Sequence, residues 1–398
     1  MKIILVHNSY QEAGGEEVVF ESEKRLLERK GHEVIPYVRS NHELRNASLV
    51  DRIAAAPRTV WSSKSRHEFA AILDSKRPDI VHIHNTFMVI SPSIYSACSE
   101  RGIPVIQTLH NFRLLCPAST NFFRDGRICE ACLDHTLLRS IQHGCYRNSR
   151  GATAVVAAML AFHRALDTWR KSVTRFIALT DFAREKFITS GFSDDQFVVK
   201  PNFADPDPGE RFGFGEYAVF VGRLHESKGV RVLLDAWKNL PVLYPLQIVG
   251  EGPERQELEA YAREAQLLGV VFRGRLSRAE TINAVKGARF LVVPSVWYEG
   301  FPMCIVESFA CGTPVVCSRL GGPSEIVEDH VTGLHFNAGD AQDLARTVQW
   351  AWNHPAQLVK MGHAARGKYE AAYTPDQNYG LLMGIYEKAL AASASRVH

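Results

Sequence analysis

The chain has 398 residues, of which 46% are hydrophobic and 22% are charged, and its formal net charge is +3. At about 150 residues per domain, this length predicts two or three domains. The ordinary composition excludes a disordered or fibrous protein. The small net charge does not indicate a nucleic-acid-binding protein, and it would permit only a weak attraction to anionic lipid.

The amino terminus predicts a β-strand and not a targeting segment. Its sequence, MKIILVHNSYQ, has a short apolar run before His7 that is smaller than the apolar core of a signal peptide. No apolar run approaches the length of about 18 residues that a membrane span needs, the longest candidate being GATAVVAAMLAF at 151–162. We therefore expect a cytoplasmic protein, and peripheral contact with the inner face of a membrane stays open.

The first half of the chain alternates short β-branched runs with helical stretches. The predicted strands are IILVH, HEVIPYV, DIVHIH, IPVIQTLH, RFIALT and FVVKPN. This alternation predicts a parallel, doubly wound sheet with helices on both faces. Gly14 and Gly15 predict a tight turn before an amphipathic helix that ends at Gly31. The turn lacks a GxGxxG fingerprint, so a nicotinamide cofactor is not indicated.

His110 ends the predicted strand VIQTLH and is followed by a cysteine-rich stretch. A histidine at a strand end is more often a structural group than a site residue. Four of the eight cysteines follow with the spacing C-x12-C-x2-C-x12-C, namely Cys116, Cys129, Cys132 and Cys145. Cytoplasmic proteins rarely keep disulfides. The cluster therefore predicts either a closed structural zinc site, for which His135 and His143 are alternative ligands, or free or redox-labile thiols.

The second half begins after a segment at 201–216 that is rich in proline and glycine and predicts a linker. A second alternation follows, with the predicted strands YAVFVGRL, YPLQIVGEG, GVVFRGRL, ARFLVVPS and TPVVCS. Asp205 and Asp207 in the linker match an Asp-x-Asp metal pattern. The prolines beside them favour surface acids that match the pattern by chance.

Two cations lie at the predicted mouth of the second sheet. Arg223 comes just after a predicted strand, and Lys228 comes just before a helix. Charged residues in surface loops are normally only solvated. Ligands of open α/β sheets, however, bind beyond the carboxyl ends of the strands. An arginine fork and a lysine point charge at that edge suit a phosphate group.

The most informative stretch is VPSVWYEGFPMCIVESFACGTPVV at 293–316. It predicts a buried strand, a loop, a helix whose first residue is Pro302, and a further strand. Glu299 falls on the loop before this helix. Glu307 falls inside it, about 7.5 Å along the axis from Pro302 at a rise of about 1.5 Å per residue.

The helix start in this stretch offers the groups that an extended, partly anionic ligand needs. The backbone N–H groups near Gly300, Phe301 and Met303 precede the first helical turn, and such groups attract a phosphate. The two carboxylates on either side suit hydroxyl groups. A sugar nucleotide presents hydroxyls, a diphosphate and a ribose in this order.

This stretch resembles the Glu-x7-Glu signature of the retaining glycosyltransferases of family 4, the group 1 glycosyltransferases. The Gly-Phe-Pro entry, the Gly-Thr-Pro exit and the strand-Gly-Arg-loop-Lys-Gly-helix context of the two cations agree with it. The resemblance implies an α/β protein with the GT-B fold, in which two Rossmann-like, doubly wound parallel-sheet domains face a central cleft.

The resemblance also implies the domain boundaries. Residues 1–202 would form an acceptor-side domain, interrupted by the cysteine-rich insertion 111–150. Residues 203–374 would bind the nucleotide sugar, and a helix at 375–398 would cross back to the first domain.

By the same resemblance the protein is a hexosyltransferase that transfers a sugar from a UDP- or GDP-sugar to an acceptor hydroxyl with retention, and no metal or other cofactor is required for catalysis. Glu299 would contact hydroxyls of the donor sugar and Glu307 the ribose. Arg223 and Lys228 would stabilise the departing diphosphate. His110 would position the sugar or shield charge, and would not act as a general base.

Three further residues enter only through the resemblance. The loop that carries Gly15 would approach the donor phosphates and the acceptor. Backbone groups around Arg275 and Leu276 would contact the nucleotide base.

The implied acceptor is a carbohydrate or a lipid-linked molecule in polysaccharide or glycolipid assembly, and no nucleic acid is involved. The insertion 111–150 would shape the acceptor side, where its arginines would either meet an anionic acceptor or simply be solvated. The apolar stretch 151–162 would lie on a bilayer surface or pack against the first sheet.

Two alternative functions stay open. A nucleotide-sugar epimerase or hydrolase shares the GT-B architecture and would release an altered sugar without an acceptor. A non-catalytic, zinc-containing binding scaffold that holds nucleic acid would need a concentrated basic face. The near-neutral charge balance disfavours the scaffold.

Overall fold

The structure, a computed structural model, describes residues 1–10, 14–44, 56–133, 136–211 and 213–394. His135, an alternative zinc ligand, lies outside the described residues. The chain divides into two compact units. The first unit comprises residues 1–121, 130–201 and 378–398, and the second comprises residues 122–129 and 202–377.

The strands fall into two six-stranded sheets and one small hairpin. In chain order they are β1 (Lys2–Ser9), β2 (Glu33–Ser40), β3 (Ile80–Ile83), β4 (Val105–Leu109), β5 (Phe123–Arg124), β6 (Arg127–Ile128), β7 (Arg175–Ala178), β8 (Phe197–Val199), β9 (Tyr217–Val221), β10 (Leu246–Val249), β11 (Val270–Gly274), β12 (Ala288–Val293), β13 (Val315–Ser318) and β14 (Gly333–Phe336).

The helices connect these strands and cover the sheets. Their bounds are Gly15–Arg29, Ser63–Lys76, Ile94–Ser99, Leu138–His143, Arg150–Ala165, Thr168–Ser172, Asp181–Thr189, Val230–Lys238, Arg255–Glu264, Arg278–Lys286, Met303–Ala310, Gly321–Ile326, Ala341–Asn353, Pro355–Ala372 and Pro375–Ala394. Residues 56–60 are also helical, and 3-10 turns lie at Asn41–Leu44, Asp194–Gln196 and Glu226–Lys228.

The first unit is built on the sheet β2-β1-β3-β4-β7-β8, in which every pairing is parallel. All six of its strands overlap the β-branched runs that predicted them, and β1 and β2 extend beyond those runs. The order reverses between β1 and β3. The core on one face joins Ile3, Leu5, Ile80 and Ile106 to side chains of the last helix, including Leu382 and Tyr386.

The second unit is built on the sheet β11-β10-β9-β12-β13-β14, also parallel throughout. Counted within this unit the order is 3-2-1-4-5-6, the Rossmann order, which reverses between β9 and β12. Successive residues of one strand enter opposite cores: Phe290 and Val292 lie in one cluster, and Leu291 and Val293 lie in the other. The prediction of two doubly wound parallel sheets is therefore confirmed.

Two features of the second unit differ from the sequence prediction. The sixth strand, β14, was not predicted, because Gly333–Phe336 begins with glycine and contains no β-branched residue. Pro302 is the N-cap and not the first helical residue, since its ψ of 112° is extended, and the helix begins at Met303.

The cysteine-rich insertion is organised by its own polar side chains. Arg113 donates to the carbonyl oxygens of Pro117 at 2.6 Å and Ala118 at 2.7 Å, and its guanidinium lies 4.8 Å from the Phe87 ring centroid. Arg113 therefore holds the backbone of residues 113–118 in a compact turn. The hairpin β5–β6 groups with the second unit, where the Phe122 ring lies 6.1 Å from the Tyr298 ring.

The four clustered cysteines are divided by this arrangement. Cys129 belongs to the second unit, and the other three belong to the first. Among the described residues, the three His, Cys, Asp or Glu side chains whose ligand atoms all lie within 4.8 Å of one another are Glu23, His82 and His84. The described thiols do not form such a set, and the structural zinc site stays a prediction.

The Asp-x-Asp pattern of the linker has a structural explanation. Asp207 accepts two hydrogen bonds from the Arg366 guanidinium, at 2.8 Å and 2.7 Å. This pairing lowers the pKa of the Asp207 carboxyl. A protein cation therefore holds the carboxylate that the pattern assigned to a metal.

The apolar stretch 151–162 lies in the helix Arg150–Ala165. One face of this helix is buried through Val156, Ala157, Met159 and Leu160. Within the described part of the chain, no helix combines the length and the apolar character that crossing a bilayer would require.

Two loops of the second unit approach each other closely at Gly229. Its φ is +69°, and a β-carbon built there would lie 1.9 Å from the carbonyl oxygen of Pro294. Gly339 has a similar φ of +79° but no heavy atom within 4 Å of such a β-carbon. An alanine at Gly339 would therefore meet only backbone strain, whereas an alanine at Gly229 would meet backbone strain and a steric clash.

We expect Gly339→Ala to lower the free energy of unfolding by about 1 to 2 kcal/mol through the left-handed backbone alone. Gly229→Ala should cost a further ~1 to 3 kcal/mol, because the loop after β9 must move away from the loop after β12. Urea denaturation of both variants measures the difference. Equal losses of stability would contradict the close approach.

Candidate active site

The reversal of strand order in the second unit brings two predicted site loops together. Arg223 follows the end of β9, and Glu299 lies on the loop after β12. These strands are neighbours in the sheet, and ligands of such sheets bind at the carboxyl edge where the order reverses. Lys228 lies in the 3-10 turn on the first of these loops.

Lys228 and Glu299 form a direct ion pair, with 2.7 Å between Nζ and Oε2. Glu299 is 5% exposed, and its other carboxylate oxygen accepts a hydrogen bond from the Ser295 hydroxyl. The Lys228 side chain is 25% exposed, and its Nζ lies 5.6 Å from the Trp297 ring centroid. An ammonium has three donors, so this pairing leaves capacity for a further acceptor.

Glu307 projects from the helix Met303–Ala310 and is partly covered. Because the helix begins at Met303, Glu307 lies about 6 Å along its axis at about 1.5 Å per residue. Its Oε1 lies 4.0 Å from Nε of Arg278. Burial raises the pKa of Glu307, and the Arg278 charge opposes that shift.

The backbone between the two glutamates is held by a neighbouring helix. Gly322 donates its N–H to the carbonyl oxygen of Glu299 at 3.1 Å. A β-carbon at this glycine would lie 2.5 Å from the carbonyl oxygen of Gly300, so only glycine permits this approach. The Phe301 ring packs 6.0 Å from that of Tyr373. Met303 opens the helix, and its N–H has no intrahelical acceptor.

Arg275 and Leu276 follow β11 at the same edge of the sheet, two strands away from β9. Leu276 packs against the core that contains Val293 and Ile305, whereas Arg275 is exposed. The structure thus pairs Lys228 with Glu299, places Arg223 on the same loop as Lys228, and places Arg275 and Leu276 further along the edge.

The predicted residues of the first unit also lie near a reversal of strand order. Gly15 begins the helix Gly15–Arg29 after an extended Gly14, and residues 11–13 lie outside the described chain. His110 follows β4, and its Nε2 lies 2.9 Å from Nδ1 of His84. Burial lowers the pKa of His110 well below its ordinary value.

His110 is the end of a buried polar chain that the sequence analysis missed. His84 Nε2 lies 3.1 Å from Oε1 of Glu23, and Lys200 Nζ lies 3.2 Å from Oε2 of Glu23. A signal was present, because Glu23 falls on the apolar face of its helix, among Phe20, Leu26 and Leu27. A charged residue on such a face needs a partner.

The charges of this chain are set by burial and pairing. Burial would raise the pKa of Glu23, but Lys200, His82 and His84 hold that pKa well below its usual range. Burial lowers the pKa of His84 to about 4, against the opposing effect of Glu23. Glu23 is therefore ionised and both His84 and His110 are neutral at pH 7.

Solved structures of known proteins share this architecture. Anabaena Alr3699/HepE in complex with UDP matches with a TM-score of 0.69 and 17% identity, over 98% of this chain and 100% of that chain. Its complex with UDP-glucose matches with a TM-score of 0.67 and 17% identity, over the whole of both chains. The fold therefore places the protein in the GT-B class.

Family models identify the family within this class. The Glycosyltransferase Family 4 model matches residues 13–208, and the Glycosyl transferases group 1 model matches residues 207–368. The chain belongs to the group 1 glycosyltransferases.

Two relatives illustrate the range of the family. D-rhamnosyltransferase WbpZ of Pseudomonas aeruginosa is 31% identical over 160 residues, which are 40% of this chain and 42% of that protein. Glycogen synthase of Mycobacterium tuberculosis is 27% identical over 296 residues, or 73% of this chain and 64% of that enzyme. The chain thus spans less than two thirds of the length of each relative.

Proposed function

We propose that the protein is a retaining, metal-independent glycosyltransferase that transfers a sugar from a nucleoside-diphosphate sugar to an acceptor hydroxyl. The observation that carries the proposal is the Lys228–Glu299 ion pair at the strand reversal of a Rossmann-type sheet. Arg223 lies on the same loop as Lys228, and Glu307 lies on the helix that follows Glu299. Membership of the group 1 family supports the same chemistry.

The two cations would act on the leaving group. Negative charge grows on the diphosphate as its bond to the sugar breaks, and fixed positive groups stabilise that state more than the bound substrate. Lys228 is already held by Glu299, so it needs little reorganisation when the charge develops. Arg223 would add a two-pronged contact to the phosphate oxygens.

The two glutamates would hold hydroxyl groups on either side of the diphosphate. A carboxylate has about four acceptor positions. Lys228 and Ser295 each use one position on Glu299, which leaves others for hydroxyls of the donor sugar. Glu307 would accept hydrogen bonds from the ribose. His110 is proposed to contact the donor sugar, and backbone groups near Gly15, Arg275 and Leu276 the remainder of the donor.

The proposed donor is a UDP-sugar, with a GDP-sugar as the alternative. Complexes of the fold neighbour Alr3699/HepE with UDP and UDP-glucose support this choice. The proposed acceptor is a carbohydrate or a lipid-linked molecule in polysaccharide or glycolipid assembly. We include peripheral contact with the inner face of a membrane, supported by the exposed apolar side chains of Leu138 and Phe162.

Calorimetric titration with a panel of nucleoside diphosphates and their sugars, in EDTA, tests the donor. We expect saturable binding of one nucleotide, because Arg223 and Lys228 supply the positive charge that a metal would otherwise give. Circular dichroism in parallel shows that EDTA leaves the fold intact. Binding that requires added Mg²⁺ or Mn²⁺ would overturn metal independence, and no binding to the folded protein would overturn the function.

The two glutamates should separate nucleotide binding from turnover. Glu307→Ala should weaken nucleoside diphosphate binding about 10- to 100-fold, because it removes charge-assisted hydrogen bonds worth about 1.5 to 3 kcal/mol. Glu299→Ala should lower kcat about 100-fold, with nucleotide affinity changed less than about threefold. The exposed helical residue Glu257 gives a matched control, Glu257→Ala. Equal and trivial effects at 299 and 307 would refute the site assignment.

The stereochemical part of the proposal has its own measurement. Proton NMR of the first-formed glycoside gives its anomeric configuration through the coupling constant of the anomeric proton. We expect the configuration of the donor to be retained. An inverted product would refute the retaining mechanism but leave sugar transfer standing.

A further inference from the structure

Three buried side chains of the first unit, together with the partly buried His110, form one continuous hydrogen-bonded chain. Lys200 contacts Glu23 at 3.2 Å, Glu23 contacts His84 at 3.1 Å, and His84 contacts His110 at 2.9 Å. Lys200 and Glu23 are each 1% exposed, and His84 is 4% exposed. These residues come from four separate elements or their ends, so the fold specifically assembles them.

The chemistry of this cluster does not call for a metal ion. Glu23, His82 and His84 have ligand atoms close enough to share one. The Lys200 ammonium, however, already supplies the positive charge beside Glu23. The nitrogens of His82 have partners within the network: Nδ1 lies 2.7 Å from the Tyr386 hydroxyl and 3.1 Å from Oε1 of Glu23, and Nε2 lies 2.8 Å from the Thr108 hydroxyl. The cluster is satisfied as a hydrogen-bonded network.

The carboxylate fixes the direction of the hydrogen bonds along this chain. An ionised carboxylate only accepts, so His84 must donate from Nε2 to Glu23. A neutral imidazole has one donor and one acceptor, so Nδ1 of His84 accepts. His110 must then donate from Nε2, and its Nδ1 carries no proton. Within the described residues, His110 Nδ1 has no hydrogen-bond partner of its own.

We propose that Glu23 is a positioning residue which, through His84, holds His110 in the neutral tautomer protonated at Nε2. His110 Nδ1 is then a fixed acceptor for a hydroxyl of a bound ligand. Its assignment to a donor-sugar hydroxyl rests on the proposed function. The tautomer itself rests on the hydrogen-bonded chain and on the ionised Glu23 beside Lys200, and not on the proposed function.

A neutral amide in place of the carboxylate no longer fixes which nitrogen donates in each hydrogen bond between residue 23 and His110. The glutamine of Glu23→Gln has an N–H₂ group that can donate to His84 Nε2, and His84 can then carry its proton on Nδ1. In that arrangement His84 donates to His110 Nε2, and His110 is protonated on Nδ1. The amide thus permits both donor-to-acceptor directions along these hydrogen bonds, whereas the ionised carboxylate permits only one.

Long-range ¹H–¹⁵N correlation spectra of the ¹⁵N-histidine-labelled full chain test the tautomer at pH 7. We expect the wild-type protein to show both His84 and His110 protonated at Nε2 and bare at Nδ1. Assignment uses His84→Gln and His110→Gln. A proton on Nδ1 of His110, or an imidazolium at this position, would overturn the proposal without any further variant.

The variant Glu23→Gln should give a second His110 signal set with the Nδ1 proton. Tyr386→Phe is the matched control, because it removes a buried hydroxyl that contacts His82 and leaves the Glu23–His84 and His84–His110 contacts in place. It should leave the His110 tautomer unchanged. An unchanged His110 spectrum in folded Glu23→Gln, or an equal change in the control, would overturn the role of Glu23.

Kinetics with UDP-glucose give the catalytic consequence. Glu23→Gln should lower kcat about tenfold or more and change KM less than about twofold, since orientation of the imidazole is lost while the binding groups stay. A KM effect alone would overturn the positioning role. The spectra need no sugar donor, so the tautomer result does not depend on the proposed function. Failure of the proposed function would appear in the calorimetric titration instead.

Discussion

The parallel pairing of every strand in both main sheets is the constraint on which the rest of the structure depends. Parallel strands need a crossover after each strand, and these crossovers cover both faces with helices. All carboxyl ends therefore lie at one edge of each sheet. Loops at that edge are free of the core, and a reversal of strand order opens a gap between two of them. Lys228 and Glu299 meet at this gap in the second unit.

The two units handle buried charge in different ways. In the second unit a half-covered lysine meets a buried glutamate, and part of the lysine stays accessible. In the first unit Lys200 and Glu23 are both fully enclosed, and neutral histidines extend the pair towards His110. Removing one partner of an enclosed pair leaves an uncompensated charge. The pair in the second unit suits direct contact with an anion. The enclosed pair in the first unit suits the orientation of a neutral group.

Local pattern accounts for much of this architecture. Strand-helix alternation predicted both sheets, and the strand-loop-helix pattern at 293–316 predicted the loop and the helix that carry Glu299 and Glu307. Pattern failed where the decisive contact is remote in sequence. Glu23 and Lys200 are 177 positions apart, so the sequence does not show that they pair. The strand β14 was missed because Gly333–Phe336 contains no β-branched residue. The Arg366 partner of Asp207, 159 positions away, likewise could not be read from the linker.

The helix Pro375–Ala394 affects the order in which the two units can fold during synthesis. Leu382, Ile385 and Tyr386 fill a core whose strands are synthesised before those of the second unit. Asn378 also accepts a hydrogen bond from Lys200 at 3.0 Å. Domains generally fold in order from the amino terminus. Here the first unit cannot complete its core until the helix Pro375–Ala394 has emerged, so the second unit can fold on the ribosome before the first unit is complete.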